Sequence, residues 1–163
     1  AHVFAGSILE NIRYGRLDAS DEEVEQAAQL VGADEFIKKM PEGYQSDAGE
    51  SGGFLSAGQK QLISFARAIL SDPQVLVMDE ATSSVDTETE QVIQQGLRRV
   101  LEGRIAFIIA HRLSTIRNAT RIIVIDHGSI IEEGSHEALM NRQGHYHELY
   151  RQQSRQEASR QLK

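Results

Sequence analysis

Three short apolar runs constrain the fold most: Val75 to Met78, Ile105 to Ile109 and Ile122 to Ile125. Each has strand length and is apolar at consecutive positions, so both faces of the strand prefer burial. A half-solvated antiparallel strand alternates instead, whereas continuous runs belong to parallel sheets covered on both sides. Between the first two runs lies a stretch that Asp86 can cap as a helix through Leu101, with Ile93, Leu97, Val100 and Leu101 on one side. Strand, helix, strand reads as a βαβ unit, which makes the second half of the chain α/β. Asp126-His127-Gly128 predicts a turn into a hairpin with Ile130-Ile131, and helices over about Ser135 to Asn141 and His145 to Gln153 close the chain.

The first half reads differently. Ser20 and Glu23 have capping-box spacing, and Val24, Ala27, Ala28 and Val31 follow at helical intervals up to Gly32. A short helix from Asp34 to Lys39 and a Gly-rich loop from Ala48 to Gly53 come next. Ser56 can cap a further helix with Leu62, Ile63, Ala66, Ile69 and Leu70 on one face, which Ser71-Asp72-Pro73 stops. From Asp18 to Glu50 there are ten acidic residues and two basic ones, so this mostly helical stretch reads as a separate subdomain. At the other end, Arg151 to Lys163 is Gln-rich and basic, and reads as a solvated helix end.

Composition narrows the function classes. The formal net charge of −7 argues against a dedicated nucleic-acid binder, which shows a basic footprint. The absence of Cys excludes disulfides and thiolate metal sites. The longest apolar run, Ile105 to Ala110, is far short of the roughly 18 residues of a spanning helix, and no secretory signal opens the chain. His145 and His147 are two apart and share no helix face; His2, His127 and His136 read as surface or turn residues. Tyr146, Leu149 and Tyr150 read as a packing face.

In parallel sheets, ligands bind beyond the carboxyl ends of the strands. Asp79 and Glu80 follow the first apolar run, and Ala110 and His111 follow the second. Two adjacent carboxylates and an imidazole are thus expected at one sheet edge. Successive residues leaving a strand point different ways, so one carboxylate can hold a divalent cation while the other orients or deprotonates a water. Leu55-Ser56-Ala57-Gly58-Gln59 opens a helix after a Gly-rich loop. Its free N–H groups and positive dipole end favour an anion, with the Ser hydroxyl and Gln amide as added donors.

In order and spacing, these segments resemble the ATP-binding cassette ATPases, most closely the nucleotide-binding domains of ABC exporters. Leu55-Ser56-Ala57-Gly58-Gln59 resembles the signature motif, with Lys60-Gln61 and Ala66-Arg67-Ala68 continuing its helix. Val75 to Glu80 resembles the Walker B strand, Ala81 to Asp86 the D-loop, and His111 the switch histidine. Gly49 to Gly53 is similar to the loop that faces the membrane domains of exporters, and Gly6 to Ile12 to the segment just after the family's Gln loop. Three positions depart: Ala57 for the usual second Gly of the signature, and Leu62 and Ser51 where the family often has Arg.

The resemblance implies a P-loop NTPase-like (RecA-like) parallel sheet with helices on both faces, incomplete at its N-terminus, plus an α-helical signature subdomain. On this reading residues 1–150 are the C-terminal portion of an ABC ATPase domain, with 8–72 the signature subdomain, 73–150 the α/β core and 151–163 a basic tail. It implies that Asp79 holds the Mg²⁺ shell of ATP, Glu80 polarises the attacking water, and His111 contacts the γ-phosphate. Leu55, Ser56, Ala57, Gly58 and Gln59 would meet the ATP of an opposing domain in a head-to-tail pair, and Asp86 would couple the two sites. The Glu50 region would face the transmembrane domain, at the cytoplasmic face of a membrane. The sequence contains no G-x-x-x-x-G-K-[ST] loop, the part that cradles the phosphates. The expectation is therefore that the isolated chain lacks ATPase turnover. A sheet lacking its N-terminal strands is further expected to expose apolar faces and unpaired edges. Two other readings are a non-catalytic module that supplies only the signature helix, and a nucleic-acid-linked ABC ATPase. The acidic balance and the exporter-like segments count against the latter.

Overall fold

The computed structural model describes residues 2–79, 87–110 and 113–161. They form two compact units, one holding residues up to Met78 together with the chain to Phe107, the other holding Asp79 and the chain from Ile108.

The first unit is built around α4 (Ala57–Ser71), against which α1 (Ile8–Arg13), α2 (Asp21–Leu30) and α5 (Thr87–Leu101) all pack. The expected caps are present: Ser20 and Glu23 form a reciprocal capping box at α2, and a third such box, Ser7 with Glu10, opens α1. After α2 the chain turns through Gly32 at φ +77°, where a side chain would be strained. The short α3 (Asp34–Ile37) ends two residues before the expected Lys39. The Tyr44 hydroxyl donates to Asp34 at 2.9 Å; burial, and then this carboxylate, push the Tyr44 pKa well up. Val24, Ala27, Ala28 and Val31 fill the core from α2, and Ile93, Leu97 and Val100 from α5. From α4 come Leu62, Ile63, Ala66 and Leu70 as expected, joined by Phe65. Leu62 is apolar because it is a core residue, only 3% exposed. At Gly96 a Cβ would lie 2.9 Å from the Val31 carbonyl oxygen and 3.2 Å from the Phe65 ring, so its absence lets α5 settle against the other helices.

β1 (Val75–Asp79) and β2 (Ile105–Ile109) are parallel neighbours. One arginine aligns their starts. Arg104 donates through Nε to the Pro73 carbonyl at 3.1 Å and pairs with Asp72 at 2.5 Å, while the Ile105 N–H bonds the Gln74 carbonyl at 3.1 Å. Asp72 itself ends α4 in a left-handed conformation, φ +43°. Leu76 and Met78 pack on the helical core, whereas Val75, Val77, Ile105, Phe107 and Ile109 are exposed. Cover on both faces is therefore not realised among the described residues: one face lies on the helices and the other is an open apolar surface.

In the second unit β3 (Ile122–Asp126) and β4 (Ser129–Gly134) form the expected antiparallel hairpin, with Asp126 opposite Ser129 and Ile122 opposite Gly134. His127 and Gly128 both adopt positive φ in its turn. The third apolar run thus pairs with β4, in a sheet separate from β1 and β2 among the described residues. Three helices follow or flank it: α6 (Leu113–Asn118), α7 (His136–Arg142) and α8 (His145–Gln161). Val124, Leu139 and Tyr146 are its buried hydrophobic residues, and Thr115 of α6 is buried as well, among the described residues. Two expectations change here. Leu149 is 46% exposed rather than packed with Tyr146 and Tyr150, and His136 is half-buried rather than a plain surface residue. The His136 ring meets Tyr150 at 4.8 Å, and its Nδ1 lies 2.7 Å from the Tyr146 hydroxyl. Helix α8 also runs well past Gln153, because nothing in the Arg- and Gln-rich tail breaks it. No helix among the described residues is long and apolar enough to cross a membrane.

Candidate functional site

The head of α4 is the best-defined part of the candidate site. Ser56 is its N-cap, in extended conformation. The Ser56 Oγ accepts the Gln59 N–H at 3.2 Å, and the Gln59 Oε1 accepts the Ser56 N–H at 2.9 Å. The sequence predicts Ser56 and Gln59 as donors to an anion; in the structure they also hold each other. Both bonds use oxygen as acceptor, so the Ser56 O–H and the Gln59 amide NH₂ keep their donor capacity. The N–H groups of Ala57 and Gly58 have no carbonyl four residues back within the helix. Leu55 is buried and anchors the turn, while Ser56 and Ala57 are exposed. Gly58 is buried, so the solvent-facing part of this capped helix N-terminus is Ser56 and Ala57.

Two loops buttress this helix. The Lys60 Nζ, one turn into α4, donates to the Ser51 carbonyl at 3.1 Å. Ser51 sits at φ +54° inside a single 3-10 turn, Glu50–Gly52, where a loop was expected. Gly52, at φ +71°, lies where a Cβ would be 2.9 Å from Val3 and 3.0 Å from the Lys60 side chain. The Gly6–Ile12 segment meets the strand of chain before this turn: Ser7 bridges Asp47, the Ile8 N–H bonds the Ser46 carbonyl at 3.0 Å and the Ala48 N–H bonds the Gly6 carbonyl at 2.9 Å. So the segment that resembles the one after the Gln loop pairs with Ser46 to Ala48, immediately before the segment that resembles the exporter loop, and α4 supports both. Phe4, Tyr14, Leu17 and Phe54 are exposed on this unit.

The carboxylate end of the site is only partly described. Asp79 is the last residue of β1 and is exposed. β2 ends at Ile109, with Ala110 following. Because β1 and β2 are parallel, of equal length and paired from their first residues, both carboxyl ends arrive at the same edge of their sheet. Glu80, Asp86 and His111 lie outside the described residues. Among the described residues no group of three His, Asp or Glu side chains is arranged to hold a metal ion. Asp79 alone offers a hard carboxylate oxygen, which suits Mg²⁺ held mainly through water and other oxygen ligands.

The most informative residue that sequence reasoning passed over is Arg67. Its signal was visible: a cation on α4 beside the buried Ala66. Its partners, Asn11 and His2, were not.

Comparison with known proteins agrees with the resemblance. A family model described as "ABC transporter" matches residues 2–83. The chain is 60% identical over 151 residues to the ABC transporter ATP-binding protein YknV of Bacillus subtilis, covering 93% of this chain and 25% of that protein. It is 52% identical to an ATP-dependent lipid A-core flippase of Legionella pneumophila, covering 93% of this chain and 26% of the flippase. A solved bacterial Atm1-family ABC exporter with ATP bound superposes with a TM-score of 0.84 at 42% identity, covering 94% of this chain and 27% of that chain. The chain therefore spans about a quarter of the length of the curated relatives it matches.

Proposed function

The chain belongs to the ABC transporter family, and on that premise we propose that it forms part of the ATP-hydrolysing domain of an exporter, at the cytoplasmic face of a membrane. The observation that carries this reading is the side-by-side parallel pairing of β1 and β2. It brings the chain to one sheet edge at Asp79 and again at Ala110, one residue before Glu80 and His111 respectively.

In this reading Glu80 is the general base. Its carboxylate accepts the proton of the attacking water as the water's oxygen adds to the γ-phosphorus of ATP and the bond from that phosphorus to the β–γ bridging oxygen breaks, with ADP as the leaving group. His111 donates a hydrogen bond to a γ-phosphate oxygen and so favours the charge that builds there. Asp79 supports Mg²⁺, which when bound neutralises phosphate charge. The Ser56 turn acts on the ATP of a second, opposing copy: the Ser56 hydroxyl, the Ala57 and Gly58 N–H groups and the Gln59 amide donate to its γ-phosphate. The methyl of Ala57 is tolerated because the residue is exposed at N1, where its side chain need not lie between the N–H and the anion. Asp86 belongs to the contact between the two copies. Residues 8–72 act as the signature subdomain and 73–150 as the α/β core. The Glu50–Gly53 segment, which follows the Ser46–Ala48 chain paired with Gly6–Ile8, and the exposed Phe54 beside it form the side that meets the membrane domain.

The test is Glu80→Gln in the full-length protein. ATP turnover should fall by about 10²–10⁴-fold, the usual worth of a general base, with nucleotide binding retained. Near-normal hydrolysis by that variant would remove Glu80 from this role.

A further inference from the structure

Arg67 is half-buried in the middle of α4 and its guanidinium leaves the helix altogether. Nε donates to the Asn11 carbonyl, Nη1 to the His2 carbonyl at 2.5 Å and Nη2 to the Asn11 Oδ1 at 2.6 Å. Asn11 is 2% exposed, and its amide is used completely. Its Oδ1 also accepts the Phe4 N–H at 2.9 Å, and its Nδ2 donates to the Phe4 carbonyl at 3.0 Å and the Ser7 carbonyl at 2.9 Å. Two aromatic rings cover the cation, Phe4 at 5.2 Å and Tyr14 at 5.8 Å from centroid to Cζ, and these rings touch each other at 4.9 Å. The backbone joins in. A Cβ on Gly15 would lie 2.4 Å from the Arg67 carbonyl oxygen, so only glycine allows the chain to pass this close.

A charge in this position is a poor choice for stability alone. Burial pushes the Arg67 guanidinium below its ordinary pKa, with Tyr14 opposing the shift, and well-packed apolar groups commonly replace such buried charges without loss. What a planar fork supplies is direction: three N–H donors in fixed geometry, reaching acceptors on two separate residues. Lys60 lies seven residues earlier, two turns along the same helix face, and holds Ser51. The helix is thus pinned at its first turn and again about 10 Å further on, at 1.5 Å per residue. Two pins resist both sliding and rotation.

We propose that Arg67 is a positioning residue for the nucleotide site: it locks residues 2–14 onto α4 and so fixes where α4 presents the Ser56 turn to the opposing ATP. This rests on the reading of the Ser56 turn given above. Arg67 touches no nucleotide. Its loss should therefore leave ATP binding, as KM, within about twofold, and lower kcat, which depends on alignment of donors that act in the transition state.

The experiment uses the full-length protein with Arg67→Met, Arg67→Lys and the double variant Phe4→Leu/Tyr14→Leu, which removes the exposed rings and leaves the hydrogen bonds. Spin labels at Ala5→Cys and Ser71→Cys, both exposed, report the distance between the locked segment and the end of α4. Arg67→Met should lower kcat at least tenfold with KM for ATP within twofold, and should broaden the label distance distribution. Arg67→Lys, which keeps the charge and one point of attachment, should recover part of both. If Arg67→Met does not fold, the Lys and double variants carry the test, each expected to reduce kcat severalfold with a broadened distribution. A kcat within twofold of the parent, or a loss of kcat with an unchanged distribution, overturns the proposal. Glu80→Gln run alongside keeps the failures apart. Full activity there sinks the functional reading, whereas an inactive Glu80→Gln beside a normal Arg67→Met sinks only the positioning role.

Discussion

The two units solve the burial problem at different scales. Among the described residues the first gathers twenty-one buried hydrophobic residues around α4, drawn from five helices and the loops between them. The second gathers three, Val124, Leu139 and Tyr146, between a hairpin and the helices α6, α7 and α8, with the aromatic stack of His136, Tyr146 and Tyr150 beside them. The first also uses buried and half-buried polar groups to fix geometry, Asn11 and Arg67 tying residues 2–11 to α4. A core of the first size can hold a helix N-terminus to within a fraction of an ångström, because each side chain is hemmed in by others. The second is a small closure whose main hydrogen-bonded framework is the β3–β4 ladder.

The comparison breaks if the two cores melt as one. Ile63 and Leu139 are both fully buried. Ile63→Ala and Leu139→Ala should each cost about 2–5 kcal/mol. Hydrogen exchange should then rise throughout α1, α2, α4 and α5 for the first, and only from β3 to α8 for the second. Equal deprotection of both units by either variant would show a single cooperative body.

A smaller effect sharpens the point about close approach. Gly15→Ala forces a methyl against the Arg67 carbonyl, and overpacking of this kind costs about 1–3 kcal/mol. A denaturant midpoint should fall accordingly. Gly43→Ala is the control for glycines on positive φ, since nothing lies within 4 Å of its Cβ position; it should cost less than Gly15→Ala.

The helix caps compare the units directly. Ser56 has a reciprocal partner in Gln59, whereas Ser135 only accepts the Ala138 N–H. Ser56→Ala should cost about 0.5–2 kcal/mol and Ser135→Ala should sit toward the low end of that range. Thermal melts of the two variants measure the difference.

The last contrast is a pH dependence in the second unit. Burial, and then the nearby Tyr150, push the Tyr146 pKa up to about 12. An unfolded chain gives up this proton near pH 10, the folded one only near 12. Between those values the folded state holds more protons, so stability falls as pH rises. Unfolding of the second unit should therefore become easier from about pH 10 to 12, and Tyr146→Phe should remove that part of the slope.

Much of this was legible in the residues. The capping boxes at Ser20 and Ser56, the core face of α4 and the hairpin at Asp126–Gly128 depend on neighbours within a few positions, which a linear sequence displays. The motif order that resembles ABC ATPases was equally plain, since it is spacing along one chain. What the third apolar run meets beyond its expected hairpin was less legible, for the opposite reason. A continuous apolar strand states that both faces want cover, not which further strand will be its neighbour; β3 pairs with β4 as expected, in a sheet that is separate from β1 and β2 among the described residues. Leu149 failed similarly. Helical spacing placed it beside Tyr146 and Tyr150, but α7 covers only part of that face.

The sequence by itself determined most elements and their caps and offered the site residues proposed above, Asp79, Glu80, His111 and the Ser56 turn, because local hydrogen bonding, periodicity and spacing act between residues close in the chain. Only the tertiary structure decided which strand edges meet, which apolar face stays open, and that Arg67 reaches across 56 and 65 residues of chain to Asn11 and His2. Such contacts are selected by how helices with many acceptable neighbours finally pack, and a glycine such as Gly15 shows its purpose only once another backbone has come to rest against it.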